Sequence, residues 1–316
     1  MLLCLIFIIL LILFIYIIIR KYNNYVFFTN LSNTKKIYVE ATWGLCNRLR
    51  TFRTLYGFCL DNRIDLYIVD TDNSEDAFPI SYKKVLPGVP LNIISKNDIP
   101  KNIQNIINTK PNKSCTIEYK YLDTNNKDII YLKCCEFSHD KYKSDNRFYK
   151  LIEDNIILPK NILDIKNKII KENAIGIHIR QGSVFDYYKN NFFGYKHNLK
   201  DKEPYFCCYE DKSKNLSYCP DNTKPLEKYI KKINELPKET YFYAASDRTG
   251  CLLSLKQILK EKLILNDIYL HEKHINIIKD FYDWYCLQFC SKIITSPHSS
   301  YSHECTILNN VKKIYL

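Results

Sequence analysis

Several features that would identify a common class of protein are missing from this sequence. Its 13 cysteines include no pair of Cys-x-x-Cys knuckles with the spacing of a zinc site. No Gly-x-Ser-x-Gly elbow of a serine hydrolase occurs either. Glycine is scarce, with 7 residues among 316, whereas Ile, Asn, Lys, Tyr and Phe are abundant, a bias that AT-rich codons explain. Because zinc is not indicated, both disulfides and free thiols stay open for the cysteines.

A dense block of basic residues is also missing. The formal net charge is +12, but the lysines are scattered and are not interleaved with aromatic residues. Scattered charge of this kind is typical of a solvated surface, whereas nucleic-acid binding concentrates charge in one region. We therefore expect no nucleic acid as a partner. With 46% hydrophobic residues, the chain can bury a core, and its 316 residues allow two domains.

Residues 2–19 form an apolar run without a single charge. A run of this length is just enough to span a bilayer core. Neither a charged n-region nor a small-residue cleavage site accompanies it, which favours an uncleaved anchor over a removed signal peptide. We predict a single-pass transmembrane anchor over residues 1–20, followed by a stem over residues 21–36. Arg20 and Lys21 follow the run and nothing basic precedes it, so the positive-inside rule places the body in the cytosol.

Beyond the stem, the hydrophobic pattern alternates between strand and helix. Residues 37–41 read as a strand, 47–60 as a helix and 65–69 as the next strand. This β-α-β rhythm favours parallel sheets with helices packed on them. The second half repeats it, with predicted strands at 174–180, 240–245, 267–270 and 292–295 and predicted helices at 224–235, 250–262, 277–290 and 302–309. We predict an α/β fold of two domains, residues 37–165 and 166–316.

The first polar motif, WGLCNRLR at residues 43–50, lies between a predicted strand and a predicted helix. Gly44 allows a tight turn, and the free N–H groups of a helix N-terminus bind anions. Arg48 falls in the first helical turn, where the helix dipole disfavours a cation. Its presence therefore predicts a bound anion or a carboxylate partner, with a side chain in solvent as the alternative.

The second motif, NAIGIHIRQGS at residues 173–183, reads as a buried strand that ends in a polar loop. Since side chains alternate faces along a strand, the isoleucines share one face, while His178 and Arg180 share the other. A guanidinium pairs bidentately with oxyanions, and open α/β sheets bind ligands at the carboxyl ends of their strands. The motif predicts a nucleoside-diphosphate site. The alternative is a structural arginine beside a core histidine.

The third group of polar residues lies towards the C-terminus. One predicted strand ends in Ser246 and Asp247, whose carboxylate can accept hydrogen bonds from a base or a ribose, or cap the following helix. A later strand runs into the loop SPHSSYS at residues 296–302, before a helix. Serine hydroxyls and free N–H groups at such a helix start form a cradle for phosphate.

Together and in this order, these motifs resemble those of the GDP-fucose-dependent fucosyltransferase superfamily, which comprises α1,2- and α1,6-fucosyltransferases and protein O-fucosyltransferases. The family pattern is Gly-x-Gly-Asn-(Arg or Gln), His-x-Arg, Ser-Asp, a helix with spaced Asp and Cys, and Ser-Ser-Phe-Ser. The matching segments here are Gly44–Arg48, His178–Arg180, Ser246–Asp247, Asp283–Cys290 and Ser299–Ser302. Two positions depart from the pattern: Cys46 replaces the second glycine, and Tyr301 replaces the phenylalanine.

The resemblance implies a GT-B-like fold, in which two Rossmann-like domains face a cleft. It implies an inverting, metal-independent transfer of fucose from GDP-fucose to a glycan or protein hydroxyl, with no other cofactor. Arg180 would hold the β-phosphate, and Asn47 and Arg48 would reach the sugar and the leaving phosphate, which makes all three catalytic. The implied donor-binding residues are Gly44, His178, Arg180, Ser246, Asp247, Ser299, Ser300 and Ser302.

Two points stay open within the family. No general base is assigned; Glu40 is the nearest carboxylate upstream of the first motif, but strand alternation can turn it away. The orientation of the anchor is also in conflict. The family implies a Golgi- or ER-type lumenal body, whereas Arg20 and Lys21 favour a cytosolic one.

Two other functions compete with this one. Asp70 and Asp72 follow a strand in the DxD form of metal-dependent GT-A glycosyltransferases, whose carboxylates hold Mn²⁺ or Mg²⁺ on a diphosphate. Alternatively, the chain is a non-catalytic, membrane-anchored module of the same fold that binds a glycan or a partner. Cys46 is the best support for that reading, whereas the intact Asn47 and Arg180 argue against it.

Overall fold

The computed structural model describes most of the chain from residue 35 onward. The described residues are 35–42, 44–71, 80–100, 106–108, 116–118, 122, 129–134, 136–180, 210–211, 216–217, 226–246, 249–266, 277–296 and 299–316. The predicted anchor and all but the end of the predicted stem lie outside them. In the part of the chain that is described, no helix is both long and apolar enough to cross a membrane.

The first half of the chain builds a five-stranded parallel sheet. The strands of this half of the chain are β1 (Lys36–Ala41), β2 (Asp65–Asp70), β3 (Asn92–Ser95), β4 (Ile106–Asn108), β5 (Thr116–Glu118), β6 (Ile129–Cys134) and β7 (Glu136–Ser138). The sheet has the order β3-β2-β1-β6-β4, and β5 pairs with β7 beside it. The helices of this half are α1 (Leu45–Asn62), α2 (Tyr82–Val85), α3 (Arg147–Asn155) and α4 (Lys160–Lys171), with 3-10 turns at Lys96–Asp98 and Asp140–Tyr142.

The second half builds another five-stranded parallel sheet. The strands of this half of the chain are β8 (Ile175–Ile179), β9 (Glu210–Asp211), β10 (Leu216–Ser217), β11 (Phe242–Ser246), β12 (Leu263–Ile264), β13 (Lys292–Thr295) and β14 (Lys312–Tyr315). The sheet has the order β12-β11-β8-β13-β14, and β9 and β10 form a separate antiparallel pair. The helices are α5 (Leu226–Asn234), α6 (Thr249–Leu259), α7 (Ile277–Leu287) and α8 (Ser300–Glu304), with a 3-10 turn at Lys260–Lys262.

The two faces of the second sheet pack against different partners. The isoleucines of β8 lie in a core cluster with buried residues of α5 and α6, such as Tyr229 and Leu255. The opposite face belongs to the main core, which continues through α7 into the first half of the chain. Gly176 permits this packing, because a Cβ there would lie 2.8 Å from Leu287 Cδ2 and 3.2 Å from Cys290 Sγ.

The observed elements confirm the predicted α/β fold with parallel sheets. The strands of the first β-α-β unit and strands β8, β11 and β13 of the second sheet occur where the pattern placed them, to within a few residues. The strand predicted at 267–270 lies outside the described chain and stays a prediction; the described strand before it, β12, ends at Ile264. The last predicted helix is shorter than expected, since turns follow Glu304. The domain boundary at residue 165 falls inside α4 and stays a prediction.

Helix α1 lies at the centre of the molecule. It contacts β7, α3 and, from the second half of the chain, α8. Because it packs against several elements, two of its arginines are buried along with its apolar residues: Arg48 is 0% exposed and Arg53 is 2% exposed. A buried guanidinium needs hydrogen-bond acceptors, since an unpaired buried charge is costly. The partners of these arginines therefore decide what α1 holds together.

The buried carboxylate of Glu304 joins the two halves. Glu304, in α8, is 0% exposed. Its Oε1 accepts a hydrogen bond from Arg50 Nε at 2.9 Å, and its Oε2 accepts from Arg53 Nε at 3.1 Å. The hydroxyl of Tyr149, in α3, donates to Oε2 at 2.5 Å. Arg50 also pairs with Glu136 at 3.0 Å, so a charged network crosses from α8 through α1 to β7.

We expect replacement of Glu304 by alanine to lower the free energy of unfolding by about 3–5 kcal/mol, because it leaves the buried Arg53 without its carboxylate partner. Urea unfolding of the wild type and the variant measures this loss. The matched control is Glu235→Ala, which removes an exposed ion pair with Lys232 and should leave the unfolding midpoint unchanged. Equal small effects in both variants would contradict a joining role for Glu304.

Candidate functional site

The end of β8 delivers His178 and Arg180 to the face predicted for them. Ile175, Ile177 and Ile179 pack on the opposite side of the sheet, so the predicted alternation is confirmed. The ring of His178 stacks on that of Tyr301, with centroids 4.6 Å apart and planes inclined by 12°. The His-x-Arg strand and the serine-rich loop, far apart in sequence, are therefore in direct contact.

His178 is a neutral, buried imidazole. Burial lowers its pKa to about 3, and the positive charges of Arg180 and Lys279 add to the shift. A neutral imidazole carries one donor and one acceptor nitrogen. Its Nδ1 is buried and has no hydrogen-bond partner among the described residues. The ring is thus available to a ligand as a hydrogen-bonding group rather than as a charge.

The serine-rich loop begins α8 with an ordered cap. Ser299 Oγ accepts a hydrogen bond from the N–H of Ser302 at 3.5 Å, and Ser302 Oγ donates to the carbonyl of Ser299 at 3.1 Å. The hydroxyl of Tyr301 donates to the carbonyl of Asp280 in α7 at 2.5 Å. These bonds fix the loop between β13 and α7, with the Tyr301 ring against His178.

A polar pocket of about 330 Å³ opens beside this loop. Its lining residues are Arg50, Ser299, Ser300, Ser302, His303, Lys313 and Tyr315. The three serines are those predicted to bind phosphate, and three basic side chains stand around them. The Nζ of Lys313 lies 3.3 Å from Nδ1 of His303. Burial lowers the pKa of His303, and Arg50 already pairs with Glu304 and Glu136, so Lys313 supplies positive charge beside the hydroxyl donors, an arrangement that suits an anion.

The start of α1 approaches the same region from the first half of the chain. Cys46 is buried in the core, and burial raises the pKa of its thiol well above the ordinary value. Glu304 adds to that rise, whereas the nearby charges of Arg50 and Arg180 oppose it. Arg50, the last residue of the first motif, lines the polar pocket together with the three serines, so the first motif lies beside the serine-rich loop. The side chain in place of the family's second glycine packs into the core, so Cys46 does not break the fold.

Of three comparisons with known proteins, only the one with solved structures finds matches, and these show the fold alone. No protein-family model matches the sequence, and no curated protein matches it significantly. Among solved structures, NodZ α1,6-fucosyltransferase soaked with GDP-fucose matches with 13% identity and a TM-score of 0.50, covering 87% of this chain and 92% of that one. NodZ from Bradyrhizobium matches with 12% identity and a TM-score of 0.50 over 88% and 94%. POFUT1 matches with 10% identity and a TM-score of 0.50 over 91% and 99%.

The chain has the fold of these fucosyltransferases. The resemblance predicted from the motifs is therefore confirmed at the level of architecture, across about nine-tenths of the chain. Within this fucosyltransferase fold, the described structure brings together the start of α1, the end of β8 and the serine-rich loop. These are three of the segments that carried the resemblance.

Asn47 and Gly44, at the start of α1, keep their predicted roles as predictions. Asn47 is half-buried in the first turn, and its N–H donates to the carbonyl of Gly44 at 3.1 Å. Gly44 has φ −65°, a conformation open to any residue, and no described atom lies within 4 Å of where a Cβ would be. A tight turn is thus not what requires glycine here.

Arg48 points into the packing of the first sheet. Its Nη1 donates to Thr71 Oγ1 at 2.9 Å and to the Tyr82 hydroxyl at 3.2 Å. The solvent-exposed alternative is wrong, since the residue is 0% exposed. The hydrogen bonds seen here tie α1 to the end of β2 and to α2. The catalytic role predicted for Arg48 stays a prediction that these contacts do not favour.

Two carboxylates considered for chemistry are engaged elsewhere. Glu40 faces away from α1, where it accepts a hydrogen bond from Tyr131 and pairs with Lys133 at 3.1 Å. Burial raises its pKa, but the Tyr131 and Lys133 interactions outweigh it, so the net pKa is lowered. Asp70 Oδ1 accepts from the N–H of Tyr82 at 2.8 Å, at the start of α2. Its DxD partner, Asp72, lies outside the described residues.

The remaining predicted residues divide between structure and site. Ser246 ends β11, buried at the carboxyl edge, and Asp247 lies outside the described residues. Asp283 is structural: it accepts from the Tyr243 hydroxyl at 2.7 Å and pairs with Lys279. Cys290 is a buried free thiol, whereas Cys251 is disulfide-bonded, so the chain contains both states that the sequence left open.

Sequence reasoning missed several residues of the site. Lys313 and Tyr315 line the pocket from β14, a strand that the pattern did not predict. Arg50 lies one helical turn after Asn47, a spacing that a helical reading of the first motif could have used. Asn266 and Ser296 are buried polar residues just past strand ends, and neither was singled out.

The lowered pKa of His178 predicts acid sensitivity. The unfolded state binds a proton as pH falls below about 6.5, whereas the folded state does so only near pH 3, so stability falls through that window. Between pH 7 and pH 5, the wild type should lose about 2 kcal/mol more stability than His178→Phe, whose ring still stacks on Tyr301. Urea unfolding at both pH values measures the difference. Equal losses would show that the buried imidazole does not resist protonation.

Proposed function

We propose that this chain is a glycosyltransferase that takes fucose from GDP-fucose and transfers it to a hydroxyl of a glycan or a protein. On this proposal, the donor binds at the carboxyl edge of the second sheet. Transfer proceeds with inversion and without a bound metal. The fold shared with solved fucosyltransferases, two of which are described with GDP-fucose, supports the donor class.

The contact between His178 and Tyr301 carries the proposal. It brings the His-x-Arg strand against the serine-rich loop, while Arg50 of the first motif lines a pocket with Ser299, Ser300 and Ser302. Three segments from distant parts of the sequence thus meet where open α/β sheets bind ligands. A protein can have this fold without bringing these polar motifs together. Their proximity therefore supports a donor site more strongly than the fold alone does.

Arg180 has the chemistry that the leaving group needs. When the glycosidic bond of a nucleotide sugar breaks, negative charge grows on the β-phosphate oxygens. A guanidinium pairs bidentately with such oxygens and cannot lose its proton, so it stabilises that charge in the transition state. Ser299 and Ser300, beside the polar pocket, add neutral donors to the same phosphates.

The acceptor side of the reaction is less defined. Glu40 is held by Tyr131, Lys96 and Lys133 on the face of the first sheet away from α1, so we propose no role for it as general base. Asn47 is half-buried in the first turn of α1. On this proposal it contacts the sugar, and an acceptor hydroxyl attacks from the first-domain side.

We expect Arg180→Ala to weaken GDP binding by about 10- to 100-fold, because a hydrogen bond to a charged group contributes about 1.5–3 kcal/mol. Calorimetry on the full chain in detergent with EDTA measures the affinity. Arg63→Ala, which removes an exposed arginine at the end of α1, is the matched control and should bind as the wild type does.

The titration is repeated with UDP, in EDTA and with Mn²⁺, and consumption of GDP-fucose is assayed in parallel. Three results would contradict the proposal. UDP binding that appears only with Mn²⁺ would favour the metal-dependent alternative at Asp70 and Asp72. GDP binding without any consumption of GDP-fucose would favour the non-catalytic module. Absence of nucleotide binding under both conditions would remove the donor site altogether.

We also propose that residues 2–19 attach the protein to a membrane, on the strength of their uncharged, apolar composition. The full chain should stay with the membrane fraction after washing with sodium carbonate at high pH, whereas a chain lacking residues 2–19 should be released. Protease protection of sealed vesicles then decides between the lumenal and the cytosolic orientation.

A further inference from the structure

Asn266 is a buried amide at the carboxyl edge of the second sheet. It follows the end of β12 by two residues and is 3% exposed. Neither its Oδ1 nor its Nδ2 has a hydrogen-bond partner in the described part of the chain. Burying an amide without partners is costly, and folded proteins seldom leave one so. A ligand that offers both a donor and an acceptor would satisfy it.

The paired register of β12 ends at Ile264, and its continuation by two residues in the same direction would bring Asn266 level with His178. Tyr243 pairs with Ile264, and Ala245 pairs with His178 in the parallel ladder. On this continuation, the chain reaches the level of Ala245 two residues past Ile264. The small side chain of Ala245 separates Asn266 from His178 by two strand spacings, about 10 Å. Asn266 and His178, which flank Ala245, both carry buried polar atoms without hydrogen-bond partners among the described residues.

The order of the strands determines which end of this row of residues lies beside the serine-rich loop. Asn266 follows β12 and the serine-rich loop follows β13, on opposite sides of β8. The two ends are three strand spacings apart, about 14 Å, which is the scale of an extended nucleoside diphosphate. With the phosphates at Arg180 and the serines, the nucleoside end reaches towards Asn266.

Gln288 provides an internal comparison. It is 1% exposed, and both atoms of its amide also lack partners in the described residues. It precedes β13, however, and so lies towards the amino edge of the sheet, away from the edge where ligands bind. Position at the carboxyl edge, and not the lack of partners alone, distinguishes Asn266.

We propose that Asn266 is a specificity-determining residue that hydrogen-bonds the base edge of the donor nucleotide. This inference rests on the proposed function. A side-chain amide presents a donor and an acceptor side by side, and such a group forms paired hydrogen bonds with the edge of a nucleobase. Asn266 then reads the base, while Arg180 and the serines bind the phosphates that all nucleoside diphosphates share.

The test compares Asn266→Leu with Gln288→Met. Each substitution replaces a buried amide by an apolar side chain of similar size. Calorimetry on the full chain in detergent uses GDP, UDP and inorganic pyrophosphate as probes. We expect Asn266→Leu to weaken GDP binding by about tenfold or more, to reduce the preference for GDP over UDP, and to leave pyrophosphate binding unchanged. Gln288→Met should change none of these affinities.

Neither variant should melt below the wild type, because each removes an amide that is unpaired in the free protein. If Asn266→Leu does not fold, Asn266→Ala repeats the test, since it removes both hydrogen-bonding atoms of the amide without adding volume. The same loss of GDP preference is expected.

Unchanged GDP affinity in both Asn266 variants would overturn this proposal. An equal loss for GDP and pyrophosphate would overturn it too, since it would show a merely structural role. Both outcomes leave the donor site intact if Arg180→Ala still weakens GDP binding. A wild type that binds no GDP overturns the donor site and this inference together.

Discussion

The buried carboxylate of Glu304 is the interaction on which the rest of the structure depends. It accepts hydrogen bonds from Arg50 and Arg53 of α1 and from Tyr149 of α3. A buried carboxylate is tolerated only where such donors surround it, so Glu304 is satisfied only when α8 lies against α1 and α3. The carboxylate also terminates α8, the helix that begins with the serine-rich loop. One interaction thus fixes the relation between the first motif and the third.

This constraint explains how a site can form from segments that are far apart in sequence. Helix α1 begins at the first motif, and Leu45, Cys46 and Leu49 of its first turns are buried in the core, so these turns cannot shift without disturbing the core. On the other side, the stack of Tyr301 on His178 ties the serine-rich loop to β8. In the proposed function, the groups that bind phosphate therefore stand on two fixed supports, which is the preorganisation that stabilisation of a leaving diphosphate requires. In the proposed function, the cleft is set by packing rather than by a bound metal.

Local chemistry predicted the parts of the molecule that depend on local pattern. The alternation of β8 was readable because hydrophobic and polar side chains change places at every residue, and the position of His178 followed from it. Partners from distant segments were not readable. The position of Arg48 in the sequence predicts a bound anion or a carboxylate partner, but its guanidinium donates hydrogen bonds to Thr71 and Tyr82. Nothing near Arg48 in the sequence indicates these two partners. Strand β14 lies at the sheet edge, where its residues stay partly exposed, so its hydrophobic pattern is weak. The buried amides escaped notice because burial is a property of the fold.

The most direct measurement is a crystal structure of the full chain with GDP, grown in EDTA. The account predicts GDP along the carboxyl edge of the second sheet, with its diphosphate on Arg180 and the serine-rich loop, its base towards β12, and no metal between the phosphates. Nucleotide bound instead beside Asp70 in the first sheet, and only after Mn²⁺ is supplied, would contradict the central claim that the three motifs form the donor site.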